Sequence, residues 1–198
     1  MKGGAMSDRP IQAKMPHGRP GPLAALLFGN QVAGGRRQGT QLYMLLDAAR
    51  DRRIYTRLTE LGDAVQARSL YQGDIGDSLA HVSPYLVATR ENQPESLKLA
   101  EAGFGRSWAV FITTLTTFDD LRRHLRKFNL VYREDGAALV FRFYDPRVLR
   151  LFLPTCSADE LKRFFGPVEA FLTEVEEADA LLRFTLSDGG LNQARLPV

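Results

Sequence analysis

The pair Asp145-Pro146 constrains this chain more than any other two residues. Proline has no backbone N–H and a fixed φ, so it ends a strand, whereas the first turn of a helix accepts it readily. Upstream, Phe141-Arg142-Phe143-Tyr144 alternates aromatic and polar residues and reads as the end of a strand. That spacing sets Phe141 and Phe143 on one face, Arg142 and Tyr144 on the other. Asp145 is a fitting cap, and residues 146–152 read as the helix that it opens. A strand that hands over to a helix within two residues belongs to a chain whose helices pack on a sheet.

The same handover recurs along the sequence. Residues 42–47 form a continuous apolar run that reads as a buried strand, although its length also permits a helix. Residues 48–61 read as an amphipathic helix, with Ile54, Leu58 and Leu61 on one face and Gly62 as its end. A second strand is expected at 65–70, a polar, Gly-rich loop at 71–83, a short strand at 85–88 and a short helix at 94–102. Trp108-Ala109-Val110-Phe111-Ile112 is the clearest central strand. Thr117 caps a helix over 118–128, with Asp119 and Asp120 in its first turn. Glu134-Asp135-Gly136 joins strands at 130–133 and 138–144 into a hairpin. Ser157 and Glu160 form a capping box for a helix that ends at Gly166-Pro167. Strands are expected at 171–173 and 182–186, with a helical piece at 175–180.

These elements predict an α/β fold: a mixed β-sheet covered by helices, with one β-hairpin. Residues 1–38 hold four prolines, many glycines and mainly basic charges, and are expected to form a flexible, disordered tail from which the apolar run ending at Phe28 can dock locally. Residues 39–198 are expected to form a single domain, with room for a small C-terminal helical lobe. At 198 residues, 44% hydrophobic and 25% charged, the chain has enough apolar content for a core. One cysteine, Cys156, excludes a disulfide framework within the chain and fits a reducing cytosol. No apolar run reaches membrane-span length, and residues 23–28 are a poor signal-peptide core, so a cytoplasmic location is expected. The net charge of +3 is too small to argue for nucleic acid.

The residue types that carry chemistry are scattered. Gly103-Phe104-Gly105 follows a helix and precedes a strand, the reverse of a dinucleotide-binding turn. His17, His81 and His124 lack the neighbours of a zinc site, and Cys156 has no His close in sequence. Asp74, Asp77 and His81 share one loop that can hold a metal or do acid/base work, and equally forms ordinary turns and caps. Arg122, Arg123, Arg126 and Lys127 share the outer side of the 118–128 helix, which suits either solvent or nucleic acid. No cofactor and no metal are expected.

Several segments, in order, resemble the domain of unknown function 4123 family. They are Leu42-Tyr43-Met44-Leu45-Leu46-Asp47-Ala48, Ser83-Pro84-Tyr85-Leu86-Val87, residues 105–111, the 141–149 segment and Phe165-Gly166-Pro167. The resemblance covers roughly residues 42–175 and leaves out the basic lead. It implies a non-catalytic adaptor of bacterial type VI secretion. Such an adaptor binds a toxic effector in the producing cell and helps to mount it on the valine-glycine-repeat (VgrG) spike. The polar members of the motif are Arg142, Tyr144, Asp145 and Arg147, to which Asp47 is added as another strand-end carboxylate; each has either a structural or a partner-contacting part to play. Tyr85 and Phe165 are candidate exposed aromatic anchors, with core packing the favoured reading of Phe165. The rival readings are a nucleic-acid module on the 118–128 helix and a small metal-dependent enzyme on the 74–81 loop.

Overall fold

The structure, a computed structural model, describes residues 21–29, 39–133, 135–188 and 190–198, without the side chains of Asp74, Ile75 and Tyr132. In chain order its elements are α1 (Pro22–Phe28), β1 (Gln41–Asp47), α2 (Arg52–Leu61), β2 (Ala67–Ser69), α3 (Gly73–Ser78), β3 (Pro84–Thr89), α4 (Pro94–Gly103) and β4 (Ala109–Thr114). There follow α5 (Phe118–Arg126), β5 (Leu130–Tyr132), β6 (Ala138–Val140), α6 (Pro146–Phe152), α7 (Ala158–Phe165), β7 (Val168–Glu174), β8 (Ala180–Ser187) and β9 (Gly190–Pro197). Among the described residues, strands β5 and β6 pair only with each other, and the other seven form one sheet in the order β2-β3-β1-β4-β7-β8-β9.

The α/β class, the helix-covered sheet and the hairpin follow the sequence reading. The sheet, however, is antiparallel at every pairing rather than mixed. Strands β3 and β4, joined through helix α4, do run the same way. Strand β1 lies between them and pairs with both, so the parallel strands never touch. β1 is buried along its length after Gln41, because it is covered on both faces.

Alternation along the central strands feeds two cores. Leu42, Met44, Leu46, Val87, Phe111 and Leu172 face one layer, where Leu27 of α1, Ile54 and Leu58 of α2 and Leu99 of α4 meet them. Tyr43, Leu45, Leu86, Val110, Ile112 and Phe171 face the other, against Leu121 of α5, Leu149 of α6 and Phe164 and Phe165 of α7. The second layer is rich in aromatic rings in edge-on contact. Phe164, for instance, meets Phe143 and Phe152 edge-on, with ring centroids 5.5 Å and 5.4 Å away.

Three further expectations are corrected. Residues 22–28, grouped by composition with the tail, form helix α1, and Leu23, Ala24, Leu26 and Leu27 bury its inner side. Pro22 sits at its start, where proline is tolerated, and the i, i+3, i+4 spacing of leucines supplies a docking face. The rest of the expected tail, 1–20 and 30–38, lies outside the described residues. The C-terminal region holds strands instead of a helical lobe: β7, β8 and β9 are consecutive neighbours, and 175–179 is a turn in which Ala178 has φ +54°. The polar composition of β9 concealed an outer strand, whose position at the sheet edge needs little burial. Finally, the strand expected over 138–144 ends at Val140. Phe141 to Asp145 turn, and Phe143 and Tyr144 are both buried, so the expected alternation is lost.

Candidate functional site

The Asp145-Pro146 turn is built as a helix start. The Asp145 carboxylate accepts a hydrogen bond from Arg147 N at 3.0 Å, and Pro146 opens α6. The Arg147 guanidinium folds back on the same carboxylate, with Nε at 3.0 Å and Nη2 at 2.5 Å. Burial pushes the Asp145 carboxyl up, but the Arg147 hydrogen bonds and the charges of Arg147 and Arg142 outweigh it and hold its pKa below the ordinary value.

Asp47 lies fully buried at the end of β1, and its carboxylate accepts from Ala49 N at 3.1 Å and from Arg142 Nη2. Here burial wins. It raises the carboxyl pKa against the hydrogen bond and charge of Arg142, and nearby Asp145 adds to the rise. Tyr144 is buried beside them, with its hydroxyl 3.3 Å from that of Tyr71; burial first, then that hydroxyl, push its pKa well up. Arg142 and Arg147 alone reach solvent, with side chains 40% and 47% exposed. The structure thus brings Asp47, Arg142, Tyr144, Asp145 and Arg147 into one cluster. Its carboxylates are spent on arginines and backbone N–H groups, and it fastens the 141–147 turn to the end of β1.

Tyr85 and Phe165 stand apart from that cluster. Tyr85 pairs in register with Leu46, on the opposite face from Asp47, and its half-buried ring packs on Tyr55 at 6.2 Å. Its hydroxyl donates to the Ala80 carbonyl at 2.8 Å, and burial, with Tyr55, pushes its pKa up to about 12. Phe165 is buried, 5.1 Å from Phe171, so it is a core residue and not an exposed anchor.

On the basic helix, two of the four cations are committed inward. Arg122 Nε donates to Ser69 O at 2.7 Å and Arg126 Nε to Leu70 O at 3.1 Å, tying α5 to the end of β2. Arg123 pairs with Asp120 at 2.5 Å, and Lys127 is exposed. In the 74–81 segment, the Asp74 side chain lies outside the described residues, and Asp77 and His81 are exposed. Among the described residues no group of three His, Cys, Asp or Glu is placed to hold a metal ion. Cys156 donates to the Phe152 carbonyl at 3.4 Å, and burial, then Glu160, push its thiol up.

The surface that sequence reasoning missed is the β5–β6 ribbon. Leu130 is 47% and Val140 54% exposed, and Val131 and Leu139 are also exposed. Beside the ribbon an apolar cleft of about 420 Å³ is lined by Phe128, Val131, Phe141, Phe152 and Phe164, with Glu160 and Arg163 at its margin. A second cleft shares Phe128, Val131 and Arg163 and adds Lys127 and Lys162. A signal was present. Each strand carries two adjacent apolar residues, Leu130-Val131 and Leu139-Val140, so each has an apolar residue on both faces. A hairpin with one buried face needs only one.

An antiparallel sheet between two helical layers, with an apolar ribbon exposed among the described residues and its polar cluster spent on architecture, defines an α/β protein. The sequence pattern of the domain of unknown function DUF4123 matches residues 42–163, and the chain belongs to that family. The match runs from β1 into α7 and includes the ribbon, both clefts apart from Phe164 and Gly166, and the Asp47–Asp145 cluster. No curated protein and no solved structure matches the chain.

Proposed function

We propose that this protein is a non-catalytic adaptor that binds a type VI secretion effector in the cytoplasm of the producing bacterium and helps to load it onto the VgrG spike. Membership of the DUF4123 family supports the setting. The observation that carries the reading is the β5–β6 ribbon, which leaves four large apolar side chains exposed beside an aromatic-floored cleft. Exposed apolar side chains beside an apolar cleft suit a site where another protein docks. The polar cluster around Asp145 supports that role from beneath, since it fixes the turn that joins the ribbon to α6.

Deletion of the gene tests the reading. Effectors are quantified by mass spectrometry in the medium of the parent and deletion strains, both still firing the secretion apparatus. One effector is expected to disappear from the deletion medium and to return with the full chain supplied in trans. The same effector, with or without the spike protein, should co-purify with the tagged chain. Unchanged delivery of every effector overturns the proposal.

A further inference from the structure

The ribbon and its clefts also carry a chemical preference. In the β5–β6 register Leu130 opposes Val140 and Val131 opposes Leu139, so each pair shares one face. Both faces of the ribbon are therefore apolar, and among the described residues neither strand has a further sheet neighbour. A two-stranded ribbon is marginal in water without something packed on it.

The rim beside this apolar surface is basic. Lys127 at the end of α5 and Lys162 and Arg163 on α7 are exposed cations lining the clefts. No ion pair among the described residues uses any of the three. Among the described lining residues the sole carboxylate is Glu160, and the Ser157 N–H, 2.7 Å away, already engages it in a capping box. His124 adds no charge near neutral pH, because burial lowers its pKa.

We propose that this surface binds an amphipathic, acidic segment of the partner protein, in which large apolar side chains are flanked by aspartate and glutamate. The apolar side chains enter the cleft floored by Phe128, Phe152 and Phe164, and the carboxylates meet Lys127, Lys162 and Arg163. The adaptor reading supplies the partner's identity as an effector; the surface and its preference stand on the residues named.

The test uses the full chain as bait for a random peptide library displayed on phage. Two variants serve as controls: the charge reversal Lys127→Glu/Lys162→Glu/Arg163→Glu, and the ribbon change Val131→Asp/Val140→Asp. All five positions are exposed, and circular dichroism checks that each variant folds. The selected peptides are expected to carry Asp or Glu beside Leu, Phe or Trp. Their affinity should fall at least about tenfold in either variant, and should weaken with added salt in the parent. The proposal is overturned if no peptide is selected, if basic peptides are selected, or if both folded variants bind as the parent does. It is also overturned if sedimentation shows a dimer that the ribbon change dissociates, since the occupant is then a second copy. Loss of effector delivery on deletion, without an acidic peptide selected, keeps the adaptor role and removes this surface. Acidic peptides selected with delivery intact do the reverse.

Discussion

Asp47 and Asp145 sit in one cluster and respond to acid in opposite ways. The folded Asp145 carboxyl has a lowered pKa, so its stabilisation is present above the unfolded value of about 4 and is lost as pH falls through the folded value. The folded Asp47 carboxyl has a raised pKa, so its charge costs stability above that value, and the cost vanishes as pH falls toward about 4. Asp145→Asn should therefore lose part of its destabilising effect below pH about 4. Asp47→Asn should become more destabilising as pH is lowered from neutrality. Urea titrations of both variants at several pH values check the two signs, and parallel curves would refute them. At neutral pH, Asp145→Ala should cost about 1–2 kcal/mol through the lost cap. Gly166→Ala is expected to cost about 1–3 kcal/mol, because φ is +49° and a Cβ there would stand 2.3 Å from His124 Cε1. The His124 ring cannot swing away freely, since its Nε2 is 2.8 Å from the Phe164 carbonyl. A thermal midpoint unchanged by that substitution would contradict the geometry. The cap was legible in the Asp-Pro pair, because capping is local. The bond from Arg142 to Asp47 joins residues 95 apart in sequence, and only the sheet reveals it.

Local signals also governed which elements could be read. The capping box Ser157–Glu160, the start of the hairpin's second strand and the cap at Thr117 all stand where the sequence put them, because each is set by neighbours within a few residues. Helix α1 was hidden by its setting among prolines and glycines, although its leucines have helical spacing. Its contribution is measurable: Leu27 is completely buried, so Leu27→Ala should cost about 2–5 kcal/mol in urea unfolding. A loss below about 0.5 kcal/mol would mean that α1 is not docked in solution. Strand β9 was missed for the opposite reason. Its sequence is polar because it lies at the sheet edge, where one side lacks a strand neighbour.

The two cores share the same strands, and this binds the molecule into one cooperative unit. Met44 and Leu45 are consecutive residues of β1 buried in opposite layers, so neither layer can melt without disturbing the other. Trp108, the single tryptophan, is buried in the layer of α1, α2 and α4, while most of the buried phenylalanines lie in the other. Urea curves from tryptophan fluorescence and from the aromatic circular dichroism band are expected to coincide. Separated midpoints would show that the layers unfold independently. The α/β class was legible at this scale because the alternation of strands and helices announces it. The antiparallel pairing was not, since insertion of β1 between β3 and β4 is a choice of topology that no local pattern records. That insertion also bears on how the chain is made. β1 leaves the ribosome before any of its neighbours, yet its partners are Leu42 with Thr89 on one side and Gln41 with Thr114 on the other. This buried strand must therefore wait with both edges open until β3 is made, and with one edge open for some seventy residues until β4 is complete, and nascent chains stalled in that interval should be the ones that chaperones hold.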